Sequence, residues 1–291
     1  MIIENATPSI FDVIVVGGGH AGCEAALAAA RMGFGTLLVT IRFGDIARMP
    51  CNPAVGGLAK GQLVREVDAL GGEMALCIDE AGIQFRMLNK AKGPAVWSPR
   101  AQADKAAYHR GMIRALKKQE NLELLEAEVT SVLLKGGRVA GVGVAQGEKL
   151  AGRKVILALG TFPNGLMHIG EESFEGGREG EPPSCDLSDQ LAALGIERKR
   201  LKTGTPARLR RGSIDFSRCK EQKGDNEPTP FSYKTGKLDL EQVSCYITHT
   251  NERTHDVIRR NLGRSPLYAG KIKGIGPRYC PSIEDKVVRF P

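Results

Sequence analysis

Six residues constrain this chain more than any others. The run GGGHAG, Gly17–Gly22, stands directly after an apolar, β-branched stretch, Phe11–Val16, and opens an alanine-rich one, Ala21–Met32, that ends at Gly33. Gly17, Gly19 and Gly22 therefore form G-x-G-x-x-G between a strand and a helix, the setting that gives the motif its meaning. Gly17 permits a tight turn, Gly19 lets the backbone approach a pyrophosphate, Gly22 lets helix pack on strand, and the helix N-terminus favours an anion. A second apolar run, Thr36–Ile41, follows at once. The unit reads β-α-β, which predicts a parallel sheet covered by helices and a bound dinucleotide. One part of the fingerprint is absent: the end of the second strand offers Thr40, and no carboxylate occurs before Asp45. Gly18, Ala21 and His20 complete the turn; His20 either donates to the ligand or caps the helix.

A Gly/Pro-rich loop, Arg42–Gly57, precedes helices predicted over Leu58–Leu70 and Gln102–Lys118. Between them GPAVWSPR, Gly93–Arg100, is too rich in proline for a helix or a central strand and predicts a positioned loop. From Leu122 the pattern changes to short strands: LELLEA, then VTSVLLK and RVAGVGVA across the Gly136–Gly137 turn, then KVILAL ending at Gly160–Thr161. The antiparallel meander feeding a buried strand resembles the one inserted in many flavin-binding Rossmann domains, and Ile156–Phe162 resembles a flavoprotein signature, though with Gly before Thr; these resemblances favour FAD over NAD as the dinucleotide. Residues 163–185 read as irregular and Leu187–Leu194 as a short helix.

With 42% hydrophobic and 25% charged residues the chain has the makings of a packed core and is not a disordered tail. Charge is divided unevenly: residues 1–197 carry 20 basic and 23 acidic side chains, and residues 198–291 carry 21 and 10. A basic second part suits a polyanion, nucleic acid first, with a merely solvated face as the alternative. Seven cysteines without a CxxC pair support neither a disulfide framework nor a zinc site. No metal is therefore expected. The absence of a signal-like N-terminus or an apolar run long enough to span a bilayer predicts a cytoplasmic protein with no membrane partner.

Cys51, in MPCNPAVGG, and Cys280, in GPRYCPS, lie beside proline and near basic residues, Arg48 and Lys60 for the first and Arg278 for the second. Such surroundings favour a thiolate nucleophile, whereas inert buried cysteine is the competing reading. A C-x4-C redox pair is missing, because Gly56 stands where its second cysteine would be. His249 and His255 suggest RNA contact or plain surface, and Trp97 either stacks on a ring or packs.

The chain resembles the bacterial tRNA uridine 5-carboxymethylaminomethyl modification enzyme family, MnmG or GidA. The resemblance is carried by FDVIVVGGGHAGCEAA, MPCNPAVGGLAKG, EVDALGG, AGIQFRMLN, KGPAVWSPRAQAD, LALGTF, RLKTGTPAR, CYITHTNERTHDVIR, RSPLYAG and GPRYCPSIEDKVVRF, from Phe11 to Phe290. It implies an α/β fold: a Rossmann-like, glutathione-reductase-like FAD-binding domain over residues 1–200, with an antiparallel meander. A mixed α+β basic domain facing tRNA and NADH is inserted over 201–275, and residues 276–291 begin a return to the FAD domain. The activity implied is the addition of a carboxymethylaminomethyl or aminomethyl group to carbon 5 of the wobble uridine of certain tRNAs. The work is shared with the GTPase MnmE in a heterotetramer built on a homodimer. Methylenetetrahydrofolate supplies the one-carbon unit and NADH reduces the flavin.

Carried onto this sequence, FAD contacts fall on Gly17–Gly22, Val129 and Ser184. The NAD stretch falls on Gly276–Phe290, with Gly276, Pro277, Arg278, Tyr279, Cys280, Pro281 and Ser282 at its start. The functionally important cysteines fall on Cys51 and Cys280, and Arg208, Arg210, Arg211, Arg259 and Arg260 are candidates for tRNA phosphates. Family members are longer, so the chain is expected to be truncated before a second glycine-rich segment and a helical domain that docks the GTPase. Three other readings stay open: a folate-dependent tRNA uridine methyltransferase, a flavin oxidoreductase for small molecules, and a module that only binds tRNA or a partner.

Overall fold

The computed structural model describes residues 10–274 and 281–290. Its first elements are β1 (Phe11–Val16), α1 (His20–Arg31) and β2 (Thr36–Thr40), the β-α-β unit expected from the glycine turn. Next come β3 (Ala54–Gly56), α2 (Lys60–Ala69), α3 (Met74–Ala81), β4 (Gly82–Leu88), β5 (Ser98–Ala103) and α4 (Lys105–Lys118). The chain continues through β6 (Leu122–Glu126), β7 (Val129–Lys135), β8 (Arg138–Val144) and β9 (Lys149–Leu157). Beyond these lie β10 (Leu166–Ile169), β11 (Glu172–Glu175), α5 (Asp186–Ala193), β12 (Lys220–Gln222), β13 (Cys245–Ile247), α6 (Glu252–Arg260) and α7 (Ile283–Arg289).

The main sheet has the order β6-β2-β1-β9-β8-β7. Its first four strands are parallel, and β7 and β8 complete the meander in antiparallel pairing. Strand β9 serves both parts: Lys149–Ala151 pair with β8, and Gly152–Leu157 lie beside β1. Gly152 stands at the changeover, where a side chain would run into Ile14.

Alternation along the inner strands feeds a core on each face, as period-two geometry requires. Val15 and Leu38 pack with Leu27, Tyr108 and Met112 under α1 and α4. Ile14, Leu37 and Val39 pack with Val132, Val142 and Leu187 on the other face. All five residues of β2 are buried, which is why it reads as an unbroken apolar run. The fold is thus the α/β, Rossmann-like type expected.

Local expectations fail in three places: the loop over Arg42–Gly57 contains β3, residues 163–185, read as irregular, contain the antiparallel hairpin β10-β11, and part of the Gly93–Arg100 loop is a strand. Pro99, assigned to a loop, lies in β5, the central strand of the sheet β3-β5-β4. The position tolerates proline because β3 ends at Gly56, opposite Arg100. Beyond it, the Pro99 carbonyl accepts the Gly57 N–H at 2.9 Å. The Gly57 carbonyl, which a residue with an N–H could have satisfied, accepts the Ser98 hydroxyl at 2.5 Å. Helix α4 correspondingly starts later than expected, where Asp104 accepts the N–H groups of Ala106 and Ala107.

The basic part of the chain has little regular structure, yet it is fastened down. Asp225 and Val243 donate backbone N–H groups to the Phe85 and Ile83 carbonyls of β4, and Phe231 and Leu238 enter the α1/α4 core. The Asp79 carboxylate on α3 accepts the Phe231 and Ser232 N–H groups at 2.7 and 2.9 Å. Among the described residues no helix is long and apolar enough to cross a membrane.

Candidate dinucleotide cleft and the Cys51 loop

A solvent-open cleft, about 650 Å³ with its open mouth included, lies at the carboxyl ends of β1, β2 and β9, the usual ligand position in such sheets. Gly17, Gly18 and Gly19 form its floor, with Val39–Arg42, Ala127–Val129 and Ala158–Gly160 on the strand ends. Phe162, Arg178, Glu181, Ser184 and Leu187 close it from the segment that follows β9. Val129 and Ser184, 55 positions apart in the sequence, thus meet the glycine turn in one place. The Ser184 N–H is held by the Phe162 carbonyl at 2.9 Å.

Each glycine of the turn has a separate duty. Gly17 adopts φ +108°, donates its N–H to Val39 at 2.8 Å, and has no room for a Cβ against the Ala158 carbonyl. At Gly22 a Cβ would collide with the Gly17 carbonyl oxygen. Gly19 differs: a Cβ there would meet nothing within 4 Å, and no side chain caps the helix start. The space a phosphate needs is therefore open, beside uncapped donors at the positive end of α1. These residues fit a dinucleotide.

His20 faces inward. Its ring centroid lies 5.6 Å from that of Tyr108, and both His20 Nε2 and the Tyr108 hydroxyl are buried without a partner. Burial, followed by Lys60 and Arg178, pushes the His20 imidazole down to about 4, so it is neutral at pH 7. Burial also raises the Tyr108 phenol. Neither His20 nor Ala21 lines the cleft.

Thr40 lines the cleft and is nearly buried. Asp45 and Glu181 are two of the carboxylates that line the cleft. Arg48 bridges them, with Nη1 3.0 Å from Asp45 Oδ1 and 2.8 Å from Glu181 Oε1, and Arg42 Nε lies 2.7 Å from Asp45. Burial raises the Glu181 carboxyl, Asp45 adds to this, and Arg178, Arg48 and Arg42 oppose it. Nothing in the sequence marks Glu181 beyond its place in the segment 163–185, read as irregular.

Cys51 sits on the loop after β2, outside the cleft lining, half-buried. Its expected basic neighbours are engaged elsewhere: Arg48 is paired with the two carboxylates, and Lys60 Nζ donates to the Ala54 carbonyl at 3.3 Å. A different cation reaches it. Arg208 Nη2 donates to the Cys51 carbonyl and, at 3.2 Å, to that of Pro50. Cys51 Sγ donates to the Gly204 carbonyl at 3.3 Å.

Cys280 and Gly276–Tyr279 lie outside the described residues. Pro281 and Ser282 are described and do not line the cleft; Ser282 occupies the N-cap position of α7 with its hydroxyl buried and unpartnered. His255 is bonded to Thr250 at 2.8 Å, and no metal-ligating cluster occurs among the described residues. Trp97 donates its indole N–H to the Lys90 carbonyl at 3.2 Å.

Comparison with known proteins agrees with this geometry. The family described as glucose inhibited division protein A, GIDA, matches residues 12–291. The tRNA uridine 5-carboxymethylaminomethyl modification enzyme MnmG of Pelobacter propionicus is 62% identical over 97% of this chain and 45% of its own length. Its counterpart in Geotalea uraniireducens is 60% identical over the same shares. The structure of Aquifex aeolicus GidA superposes with a TM-score of 0.90 at 51% identity, covering 97% of this chain and 48% of that one. The chain therefore spans about half the length of the curated relatives it matches, and it belongs to the glucose inhibited division protein A family.

Proposed function

We propose that this chain is the FAD-holding and tRNA-facing part of an enzyme that modifies carbon 5 of the wobble uridine in tRNA. The observation that carries this reading is the 62% identity, across 97% of the chain, to a relative named for that modification. The open glycine turn supports the cofactor. Gly17–Gly19, Val129 and Ser184 would hold FAD in the cleft, with the start of α1 facing its pyrophosphate. FAD supplies hydride chemistry to the one-carbon unit; methylenetetrahydrofolate is the donor of that unit and NADH the reductant, taken up by the Gly276–Phe290 stretch.

The chain's own residues prepare the uracil. Carbon 5 is a weak nucleophile until a thiolate, from Cys51 or Cys280, adds to carbon 6 and shifts the electron pair into an enolate. The enolate attacks the methylene carbon as one of its bonds to a folate nitrogen breaks and leaves the electron pair on that nitrogen; carbon 5 then loses its proton, and the thiolate leaves carbon 6. The basic segment 201–275 would hold tRNA phosphates. Assembly as a homodimer with the GTPase MnmE, in the cytoplasm, completes the reading.

The test is threefold. The purified chain should be yellow and should retard tRNA in a gel. In the complete enzyme, replacing Cys51 and Cys280 by serine should abolish modification and leave the flavin spectrum unchanged. Modification surviving in the double variant would remove the cysteines from the mechanism, and a folded chain that shifts no tRNA would remove the substrate.

A further inference from the structure

Among the described residues, Cys51 is hydrogen-bonded by one short stretch of the basic segment. Gly204 accepts from the thiol, and Arg208, four residues on, donates to the carbonyls of Cys51 and Pro50. The two bonds act on opposite ends of the same residue, one on its side chain and one on its backbone. They join positions more than 150 residues apart in the sequence. The S–H to carbonyl bond needs its proton on sulfur: a thiolate has nothing to donate and would face the carbonyl lone pairs.

We infer that residues 204–208 form a clasp on Cys51, in which Arg208 is the positioning residue and which a bound polyanion opens. Resting on the tRNA reading above, the inference adds regulation to it. Arg208 is exposed, so its guanidinium is available to phosphate. The guanidinium bonds to the Cys51 and Pro50 carbonyls are charged on the donor side alone, whereas a phosphate oxygen brings opposite charge to the acceptor side as well and makes the stronger, bidentate pair. A tRNA backbone that captures Arg208 therefore draws the segment away, takes Gly204 with it, and frees the Cys51 sulfur. Thiol reactivity is thereby tied to the presence of substrate. The arginine expected from sequence to hold a phosphate has a resting partner, and that partner is the nucleophile's own loop.

The experiment measures the carboxamidomethylation rate of Cys51 by iodoacetamide, resolved from the other cysteines by peptide mass spectrometry, with tRNA as the probe. Loss of one hydrogen bond of ordinary strength predicts a rise of about fivefold in Arg208→Gln, and Arg208→Lys should stay near the wild-type rate. Bound tRNA should accelerate labelling of the wild type by a similar factor and of Arg208→Gln not at all. An unchanged Cys51 rate in a folded Arg208→Gln, or in wild-type protein carrying tRNA, would overturn the clasp. Labelling of the buried Cys23 and Cys77 reports loss of fold; in that event the wild-type comparison with and without tRNA decides alone. Filter binding run in parallel separates the two readings. If no tRNA is retained, the substrate assignment fails, whereas the Arg208→Gln arm still tests the resting contact.

Discussion

The carboxylate of Glu24, on α1, accepts the backbone N–H of Met74 at 2.6 Å and that of Glu73 at 3.0 Å. It thereby caps α3 from another helix, since Glu73 at the N-cap position makes no side-chain cap of its own. Removing a cap of this kind costs about 1–2 kcal/mol. We expect that loss for Glu24→Ala in urea unfolding. Burial raises the Glu24 carboxyl, so the ionised form carries a desolvation cost at pH 7. Glu24→Gln keeps a carbonyl acceptor without that charge and should lie within about 0.5 kcal/mol of wild type.

Gly19 and Gly22 belong to the same motif and should fail differently. At Gly22 a Cβ collides with backbone, which cannot move aside, so Gly22→Ala should destabilise by about 3 kcal/mol or more. At Gly19 the backbone has φ −71° and the Cβ meets only open space. Gly19→Ala should melt within a few degrees of wild type and lose the flavin absorbance, because the methyl group occupies the approach to the pyrophosphate. Equal melting losses in both variants would show that Gly19 is structural.

The β-α-β unit was legible because strand, turn and helix are adjacent in the chain and each announces itself locally: Phe11–Val16 by β-branching, Gly17–Gly22 by glycine spacing, the helix by alanine. Pro99 was misread for a reason equally local. Proline argues against a central strand, and only the tertiary fact that β3 stops at Gly56 removes the need for its N–H. The Glu24 cap, the Asp79 hold on Phe231 and the Arg48–Glu181 pair were not legible at all. They join positions 49 to 153 residues apart, and no periodicity links them. In the candidate site the glycine turn could be read directly. The meeting of Cys51 with Gly204 and Arg208 could not, since it depends on how an irregular segment returns to the first part of the chain.

His20 should impose a pH dependence on stability. Its folded-state value, about 4, lies below the ordinary 6.5, so the unfolded chain binds the extra proton between these limits. Stability contributed by the neutral imidazole is therefore complete above pH 6.5 and is lost as pH falls toward 4. A lowering from 6.5 to about 4 corresponds to roughly 3–4 kcal/mol. His20→Phe, which also removes the unpartnered Nε2, should flatten the stability curve in that window and leave stability at pH 7.5 equal or higher. Urea midpoints at pH 7.5, 6.5, 5.5 and 4.5 test it; parallel curves for the two proteins would show that other groups govern the acid limb.

The arginines proposed to meet tRNA phosphates are not equivalent. Arg210 and Arg211 are exposed, and among the described residues neither is ion-paired. On α6, Arg259 Nη1 lies 3.4 Å from Asp256, and Arg260 Nε donates to the Asp256 carbonyl at 3.2 Å. A free guanidinium releases counterions from the nucleic acid at no cost to the protein, whereas a paired one must first give up its partner. Each phosphate contact contributes about 0.7–0.9 to the slope of log affinity against log salt. Arg210→Ala/Arg211→Ala should therefore lower the slope for tRNA by about 1.5, with weaker binding at low salt. Arg259→Ala/Arg260→Ala should lower it by less than half as much. Filter binding between 50 and 200 mM salt, roughly the range over which such slopes are resolved, measures both. Equal slopes in the two double variants would show that pairing on α6 does not withhold its arginines from RNA.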